Sequence, residues 1–312
     1  MSMKRFIMPL ALAALALPTV ASAELPKDTK EAIVKMGHVN DPKTASLFVS
    51  MHKGVPADIS VNRDLPFGTD PAQRLDLFTS GQGEGKPILI YVHGGGFTRG
   101  DKHRPGEFMY DNVMVWAVQH GMVAVETNYR LASPQAQYPA ANDDVSAAVK
   151  YVRDHARAYG GDPNKIVVWG HSAGASLVGI MVSHPEFIKA SGGNIAGAII
   201  TSGGYEFKGK NPYLGDDPAK LAERSSVEGL KKTTIPIFFT RAEWDPPGQM
   251  QQGDMIHKVL TDAGHDHVFH LMTGHNHMSQ VFSVGTSETQ LTDLMLPWIQ
   301  KVTSNVKAAS AQ

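Results

Sequence analysis

Five of the fourteen histidines lie in one short stretch, residues 264–280, with the sequence GHDHVFHLMTGHNHMSQ. Imidazoles at this spacing serve two kinds of chemistry, metal binding or proton transfer to and from a reacting group. A histidine-only metal site needs about three convergent ligands with carboxylates or carbonyls behind them. Asp266 is the only acid inside the stretch. The sequence therefore favours proton transfer by one of these histidines over a metal site.

A serine suited to nucleophilic attack lies in the segment GHSAG, residues 170–174. The segment follows a short apolar run that reads as a strand and precedes a run compatible with a helix, residues 175–182. A nucleophilic serine needs its Oγ raised on a tight strand-to-helix turn, and this turn admits only small flanking residues. The N-terminus of the following helix also favours developing negative charge. Ser172 is therefore the predicted nucleophile, and the alternative is a glycine-rich turn without chemistry.

Three consecutive glycines in HGGG, residues 93–96, end a predicted strand that starts at residue 87. Acyl transfer builds an oxyanion that must be met by fixed N–H donors, and side chains would block the approach of the backbone. The predicted oxyanion hole consists of the N–H groups of Gly95, Gly96 and Ala173. A flexible loop and a phosphate cradle are the alternatives. No Lys-Ser/Thr follows at the spacing of a P-loop, and no G-x-G-x-x-G is completed.

Strands and helices that could position these residues alternate along the chain. Apolar runs rich in Val and Ile predict buried strands, and helical periodicity appears between them. The predicted fold is α/β, with a mostly parallel sheet covered by helices on both faces. The predicted strands are 87–93, 122–128, 166–170, 195–202, 235–241 and 267–272, and the predicted helices are 143–159, 251–263 and 289–303.

The first 23 residues have the features of a secretory signal. Lys4 and Arg5 precede an apolar run, and Ala21-Ser22-Ala23 provides a small-residue cleavage site. An uncleaved membrane anchor is the alternative, although the apolar run is short for a lone spanning helix. We therefore expect an exported protein, periplasmic or secreted. Its mature part, residues 24–312, is predicted to be one domain with an N-terminal extension over about 24–57.

Composition excludes several classes of site and partner. The chain has no cysteine, which excludes disulfides, thiol nucleophiles and zinc–thiolate sites. The formal net charge is −1 with both signs interspersed, so no nucleic-acid footprint is present. No second long apolar segment follows the signal, and we expect no membrane partner after its cleavage. No cofactor is expected, and the oligomeric state is not readable.

Together these motifs resemble those of α/β-hydrolase-fold serine esterases with an HGGG oxyanion motif. This branch includes hormone-sensitive-lipase-like carboxylesterases, kynurenine formamidases and small feruloyl and acetyl-xylan esterases. The resemblance covers roughly residues 64–299, and Phe97 stands where many relatives have Trp. It is carried by PFGTDPAQRLDLF (66–78), HGGGFTRGDK (93–102), NYRLASPQAQYPAANDD (128–144), YGGDPNKIVVWGHSAGAS (159–176) and RAEWDP (241–246).

The resemblance implies a chain order of serine, acid and histidine. It favours Asp245 as the acid, with Glu243 as the alternative. It favours His277 as the base, because Gly274 and Met278 complete the family's Gly-x-x-His pattern and its following apolar residue. His275 is the alternative base.

The implied activity is hydrolysis of small carboxylic esters through an acyl-enzyme, with feruloyl or acetyl esters as candidate substrates. An arylformamidase using the same triad is the alternative, and the signal segment counts against it because kynurenine formamidases normally work inside cells. A non-catalytic binding protein on this fold is a distant third hypothesis. Such proteins usually lose the serine or the histidine, and both are present here.

Overall fold

The computed structural model describes residues 23–38, 42–81 and 83–306. The predicted signal, residues 1–23, lies outside the described residues except for Ala23. None of the helices in these ranges is both long and apolar enough to cross a membrane. The α-helices are α1 (Lys27–Met36), α2 (Asp111–Gln119), α3 (Ala140–His155), α4 (Ala173–Ser183), α5 (Pro185–Ala190), α6 (Pro218–Arg224), α7 (Val227–Leu230), α8 (Pro247–Asp262), α9 (Ser279–Phe282) and α10 (Thr292–Ser304), and short 3-10 helices span Pro42–Leu47, Val49–Met51 and Ala156–Tyr159.

Eight strands form one twisted sheet in the order β1-β2-β4-β3-β5-β6-β7-β8. Strand β1 pairs antiparallel with β2, and β2 pairs antiparallel with β4. The remaining neighbours in the sheet, β4-β3-β5-β6-β7-β8, pair in parallel. This architecture confirms the predicted α/β class with a mostly parallel sheet. The strands are β1 (Ser60–Pro66), β2 (Arg74–Thr79), β3 (Lys86–Val92), β4 (Val123–Thr127), β5 (Gly161–His171), β6 (Gly197–Thr201), β7 (Ile237–Trp244) and β8 (His267–Asn276).

Helices cover both faces of the sheet, which explains why its central strands are apolar throughout. In β3, Ile88 and Ile90 belong to the core beneath α3, α4 and α8, whereas Leu89 and Tyr91 belong to the core beneath α2 and α10. Successive side chains of a strand point to opposite faces, so both sets must be apolar when both faces are buried.

The two strands at the start of the sheet had no sequence prediction. Strand β1 alternates between exposed and half-buried residues, and β2 carries the buried Asp76. Arg63 from β1 and Lys102 pair with the Asp76 carboxylate at 2.7 and 2.8 Å. These strands are stabilised by buried ion pairs as well as apolar burial, so they lack the apolar pattern used to find the others.

The strand ends differ from prediction at two positions that matter for the site. Strand β7 runs to Trp244, so Glu243 lies inside the strand and Asp245 is the first residue after it. Strand β8 runs to Asn276, so His275 also lies inside a strand and His277 is the first residue after it. The strand predicted at 267–272 would leave both histidines after it, which is wrong for His275.

Candidate active site

Ser172 occupies a strained turn between β5 and α4. Its φ and ψ are +56° and −119°, a conformation that non-glycine residues rarely adopt. The flanking glycines allow the turn to close against the sheet. A Cβ on Gly170 would lie 2.3 Å from the carbonyl oxygen of Gly174, and a Cβ on Gly174 would lie 2.1 Å from that of Val92. The spacing of GHSAG is therefore a packing requirement of this turn.

Asp245 and His277 meet in a buried contact at the carboxyl edge of the sheet. The distance from His277 Nδ1 to Asp245 Oδ1 is 2.7 Å, and both side chains have no exposed surface. The contact requires the Nδ1 proton on the neutral imidazole, which leaves Nε2 as the basic nitrogen. Nε2 is buried and has no hydrogen-bond partner in residues 23–38, 42–81 and 83–306. This nitrogen can therefore accept a proton.

Glu243 and His275, the alternative acid and base, bind elsewhere. A carboxylate oxygen of Glu243 accepts the N–H of Gly274 at 2.6 Å. His275 is buried, with Nδ1 at 3.1 Å from Ser279 Oγ and Nε2 at 3.8 Å from a Glu288 carboxylate oxygen. Each therefore supports the segment that leads to His277, and the two form no hydrogen bond or ion pair with each other.

Three buried side chains without a sequence signal hold the Asp245–His277 pair. Ser202 Oγ donates to Asp245 Oδ2 at 2.5 Å, and Gln280 Nε2 donates to Ser202 Oγ at 2.7 Å and to the His277 carbonyl at 3.1 Å. His171 Nε2 donates to the same carbonyl at 2.9 Å. Burial, reinforced by the neighbouring His277, holds the pKa of His171 well below its usual range, so His171 is a neutral donor.

We expect Ser202→Ala to lower kcat by about tenfold while KM changes little, because Asp245 loses one charge-assisted hydrogen bond and orients His277 less well. The measurement is steady-state hydrolysis of a p-nitrophenyl ester. Ser226→Ala serves as control, since Ser226 is buried too but contacts the Tyr205 carbonyl and not Asp245. An equal loss in both variants would assign the effect to general destabilisation.

The HGGG loop presents free backbone donors beside Ser172. Gly95 has a φ of +123°, and a Cβ there would lie 1.9 Å from the Arg99 carbonyl oxygen. Only glycine fits this position. Within the described part of the chain, the N–H groups of Gly95, Gly96 and Ala173 donate to no protein acceptor. The geometry is compatible with their predicted use as oxyanion donors.

His93 stabilises the conformation of this loop. Its ring stacks on Tyr129, and its Nδ1 donates to the Gly94 carbonyl at 2.7 Å. Burial lowers the pKa of His93 to about 4, so the ring stays neutral at the pH at which most proteins function.

The depressed pKa of His93 predicts a pH-dependent stability. The unfolded chain binds a proton at this site below about pH 6.5, whereas the folded chain does not until about pH 4. Stability is therefore lost as pH falls through this window, by about 3 kcal/mol from His93 alone. His93→Asn keeps a donor but removes the titration, so its free energy of unfolding should fall less from pH 7 to pH 4.5 in urea titrations. Exposed His155→Asn should follow the wild type. Parallel curves for all three proteins would contradict this.

Two cavities meet at Ser172. The larger, about 350 Å³, includes Gly96, Phe97, Ala173 and Phe207 in its lining. The smaller, about 60 Å³, is bordered by the glycine loop, the segment around residues 99–110 and Met278. Cavities on both sides of the nucleophile can bind the two parts of a substrate that flank the bond under attack.

Backbone strain is concentrated around these cavities. Besides Ser172, the non-glycine residues Phe97, Ser202 and Tyr110 have φ values between +51° and +68°, and all of them line one cavity or the other. Such conformations cost free energy and persist where the surrounding packing enforces them, which is common at functional sites.

Three side chains of the types that ligate metals lie close together outside the histidine-rich stretch. In the described residues, His103, Asp111 and Glu126 place one ligand atom each within 4.8 Å of one another. Arg63 already occupies this cluster, with Nη1 at 2.9 Å from Glu126 Oε1 and Nη2 at 2.6 Å from Asp111 Oδ2. The guanidinium supplies the positive charge that a cation would bring, so the cluster is a structural ion-pair network.

The comparisons with known proteins agree with this architecture. Residues 75–190 match the sequence model of the BD-FAE family. Fumonisin B1 esterase from Sphingopyxis macrogoltabida is 31% identical over 202 residues, which cover 57% of this chain and 36% of that protein. Esterase LipQ from Mycobacterium tuberculosis is 28% identical over 228 residues, 64% of this chain and 53% of LipQ. The chain thus spans about a third to a half of these two relatives.

Solved structures share the fold at low sequence identity. A truncated carbohydrate esterase from gut microbiota superposes with a TM-score of 0.68 at 18% identity, covering 81% of this chain and all of that one. Esterase B from Lactobacillus rhamnosis, in an inhibited form, superposes with a TM-score of 0.67 at 16% identity, covering 89% of this chain and 96% of that one. The predicted resemblance is confirmed: the chain has the α/β-hydrolase fold, and its central segment matches the BD-FAE family.

Proposed function

We propose that this chain is a serine hydrolase that cleaves small carboxylic esters through an acyl-enzyme. The observation that carries the proposal is the buried 2.7 Å contact between His277 Nδ1 and Asp245, which leaves Nε2 free at the sheet edge where Ser172 sits on its strained turn. The esterases of known structure named above share this fold, and the segment that matches the BD-FAE family contains HGGG and GHSAG.

The reaction follows from the positions of these groups. Ser172 Oγ attacks the acyl carbon while His277 Nε2 accepts its proton, and the N–H groups of the glycine loop and Ala173 stabilise the oxyanion. The oxyanion collapses, His277 returns the proton to the leaving alcohol, and the acyl group remains on Ser172. Water then attacks the acyl-enzyme with His277 as base, which releases the carboxylic acid and restores the serine. Asp245 orients the imidazole and stabilises its charged form.

Feruloyl and acetyl esters are the substrates that we propose within this class. The larger cavity has aromatic walls at Phe97 and Phe207, whose ring centroids are 6.4 Å apart, and such walls suit a flat aryl group. One structural neighbour is named a carbohydrate esterase, and acetyl and feruloyl groups occur as esters on carbohydrate hydroxyls.

A substrate panel tests the proposal. Purified protein is assayed with p-nitrophenyl acetate and butyrate, methyl ferulate and N-formylkynurenine. We expect turnover of the esters and slow or no turnover of the formamide. The reverse order would favour the arylformamidase, and no turnover of any of the four, together with no labelling by a fluorophosphonate probe, would refute a serine hydrolase.

We also propose that the chain is exported, on the composition of residues 1–23. Mass spectrometry of protein expressed in a Gram-negative host checks this, with a mature chain starting near Glu24 in the periplasmic fraction as the expected result. An intact Met1 in the cytoplasmic fraction would contradict export.

A further inference from the structure

The smaller cavity beside Ser172 differs from the larger one in its charge. Arg99, Arg104 and Asp101 all border it, and its remaining lining is glycine backbone, Ser172, neutral His171, Tyr110 and two methionines. The larger cavity has Glu206 as its charged lining residue, and Lys208 pairs with Glu206 at 3.0 Å. An excess of positive charge is therefore confined to one side of the nucleophile.

The nearby carboxylates do not neutralise both arginines. Asp101 Oδ1 accepts hydrogen bonds from the Asn128 amide at 3.1 Å and from the His103 N–H at 3.3 Å. Glu107 lies 3.7 Å from Arg104, and both side chains are about half exposed, so this ion pair is weak. Within residues 23–38, 42–81 and 83–306, the Arg99 guanidinium forms no hydrogen bond or ion pair with a side chain.

The segment that carries the two arginines is firmly anchored. Lys102 lies between them in sequence and is 5% exposed, with its ammonium at 2.7 Å from Asp64 and 2.8 Å from Asp76. Its backbone N–H donates to Asn128 at 2.6 Å. His103 approaches Asp111 at 3.2 Å. The backbone between Arg99 and Arg104 is thus held before a substrate arrives, which reduces the entropic cost of recognition.

The size of the cavity limits what it can hold. A volume of about 60 Å³ has room for roughly four or five water-sized groups, far less than the 350 Å³ on the other side of Ser172. A carboxylate on a short linker fits this space, and arginine is the residue best suited to bind a carboxylate. A large aryl or sugar group does not fit.

We infer that the small cavity binds an anionic group of the ester substrate, a carboxylate on a short chain, and that Arg99 and Arg104 are its recognition residues. The inference rests on the proposed ester hydrolysis and narrows its substrate class to half-esters of short dicarboxylic acids or esters whose alcohol part is a short hydroxy acid. The larger cavity then receives the rest of the substrate.

Two matched pairs of esters test this, one for each side of the scissile bond. Monoethyl and diethyl glutarate differ by a carboxylate on the acyl side, and acetoxyacetate and acetoxyacetamide differ by one on the leaving-group side. Hydrolysis is followed by chromatography at pH 7.5 and low ionic strength, since salt screens exposed charges. The readout is the ratio of kcat/KM for the anionic ester to that for its neutral partner, corrected for the two ester groups of diethyl glutarate.

We expect wild type to favour the anionic ester in at least one pair, by about tenfold, the size of one hydrogen bond to a charged group. In the double variant Arg99→Gln with Arg104→Gln this ratio should fall about tenfold, mainly through KM. Arg157→Gln is the control, because Arg157 is also exposed but lies in the 3-10 helix before the amino end of β5, away from the catalytic edge. Its ratios should equal those of wild type.

The outcomes separate the two proposals. Hydrolysis of the neutral esters without an anionic preference, or a preference that survives in the double variant or is lost equally in Arg157→Gln, overturns the anion site and leaves the esterase intact. Failure of wild type to hydrolyse any of the four esters, or those of the panel above, overturns the esterase and the anion site with it.

Discussion

We expect Ser172→Ala to fold normally and to lose ester hydrolysis by about 10⁶-fold in kcat, as removal of the nucleophile from an interdependent triad does. Residual turnover would come from the oxyanion donors and substrate binding alone. The substitution removes only one oxygen from a residue that is 9% exposed, and Ser172 Oγ donates no hydrogen bond to His277 in this structure. Stability should therefore change by less than about 1 kcal/mol. The measurements are kcat on a p-nitrophenyl ester and urea unfolding.

A serine in the same helical region provides the control. Ser183 ends α4 and has the same exposed fraction, 9%, but its Oγ donates to the Ile180 carbonyl and it lies outside both cavities. Ser183→Ala should retain wild-type turnover and react with a fluorophosphonate probe, whereas Ser172→Ala should not react. Undiminished turnover in Ser172→Ala would remove the nucleophile from the proposal.

The central sheet was predictable because its strands are apolar on both faces. Strands β3 to β8 each overlap a predicted run, with shifts of a few residues at their ends. The antiparallel β1 and β2 escaped prediction because their burial involves charge: Asp76 is fully buried only in combination with Arg63 and Lys102, which are distant in sequence. Hydrophobic periodicity carries no information about such pairs.

Individual site residues were predictable to different degrees. Ser172 follows from a local turn whose glycines are required by contacts within the turn and with β3. The choice of Asp245 over Glu243 depended on family pattern, because a difference of two residues is within the uncertainty of a strand end. The structure separates the two acids by their contacts, because Asp245 binds His277 whereas Glu243 accepts the N–H of Gly274.

The supporting residues had no sequence signal at all. Ser202 and Gln280 stand 78 positions apart and meet only because β6 and β7 are adjacent and the chain after β8 folds back over their ends. Both are common polar residues: Ser202 ends the strand predicted at 195–202, and Gln280 lies in a segment without a predicted strand or helix. Their importance arises from the tertiary fold, which brings them within hydrogen-bond distance of Asp245 and the His277 carbonyl.

The second large effect concerns the histidine pair in the stretch HNH. His277→Ala should lower kcat by between 10³ and 10⁶-fold, because no other group can accept the Ser172 proton through a nitrogen oriented by Asp245. His275→Ala should keep turnover within about tenfold of wild type. Its ring binds Ser279 and Glu288 and not Asp245, so its loss mainly destabilises the loop.

Both variants lose stability, which makes the comparison of turnover informative. Each removes a buried imidazole and leaves a buried carboxylate without its partner, Asp245 in one case and Glu288 in the other, so each should cost on the order of 1–3 kcal/mol in urea unfolding. If the loss of activity came only from destabilisation of the loop, kcat would fall by a similar factor in His277→Ala and His275→Ala. A catalytic role confines the large loss to His277. Loss of turnover in His275→Ala with activity retained in His277→Ala would move the base by two residues, and retention in both would show that the triad is elsewhere.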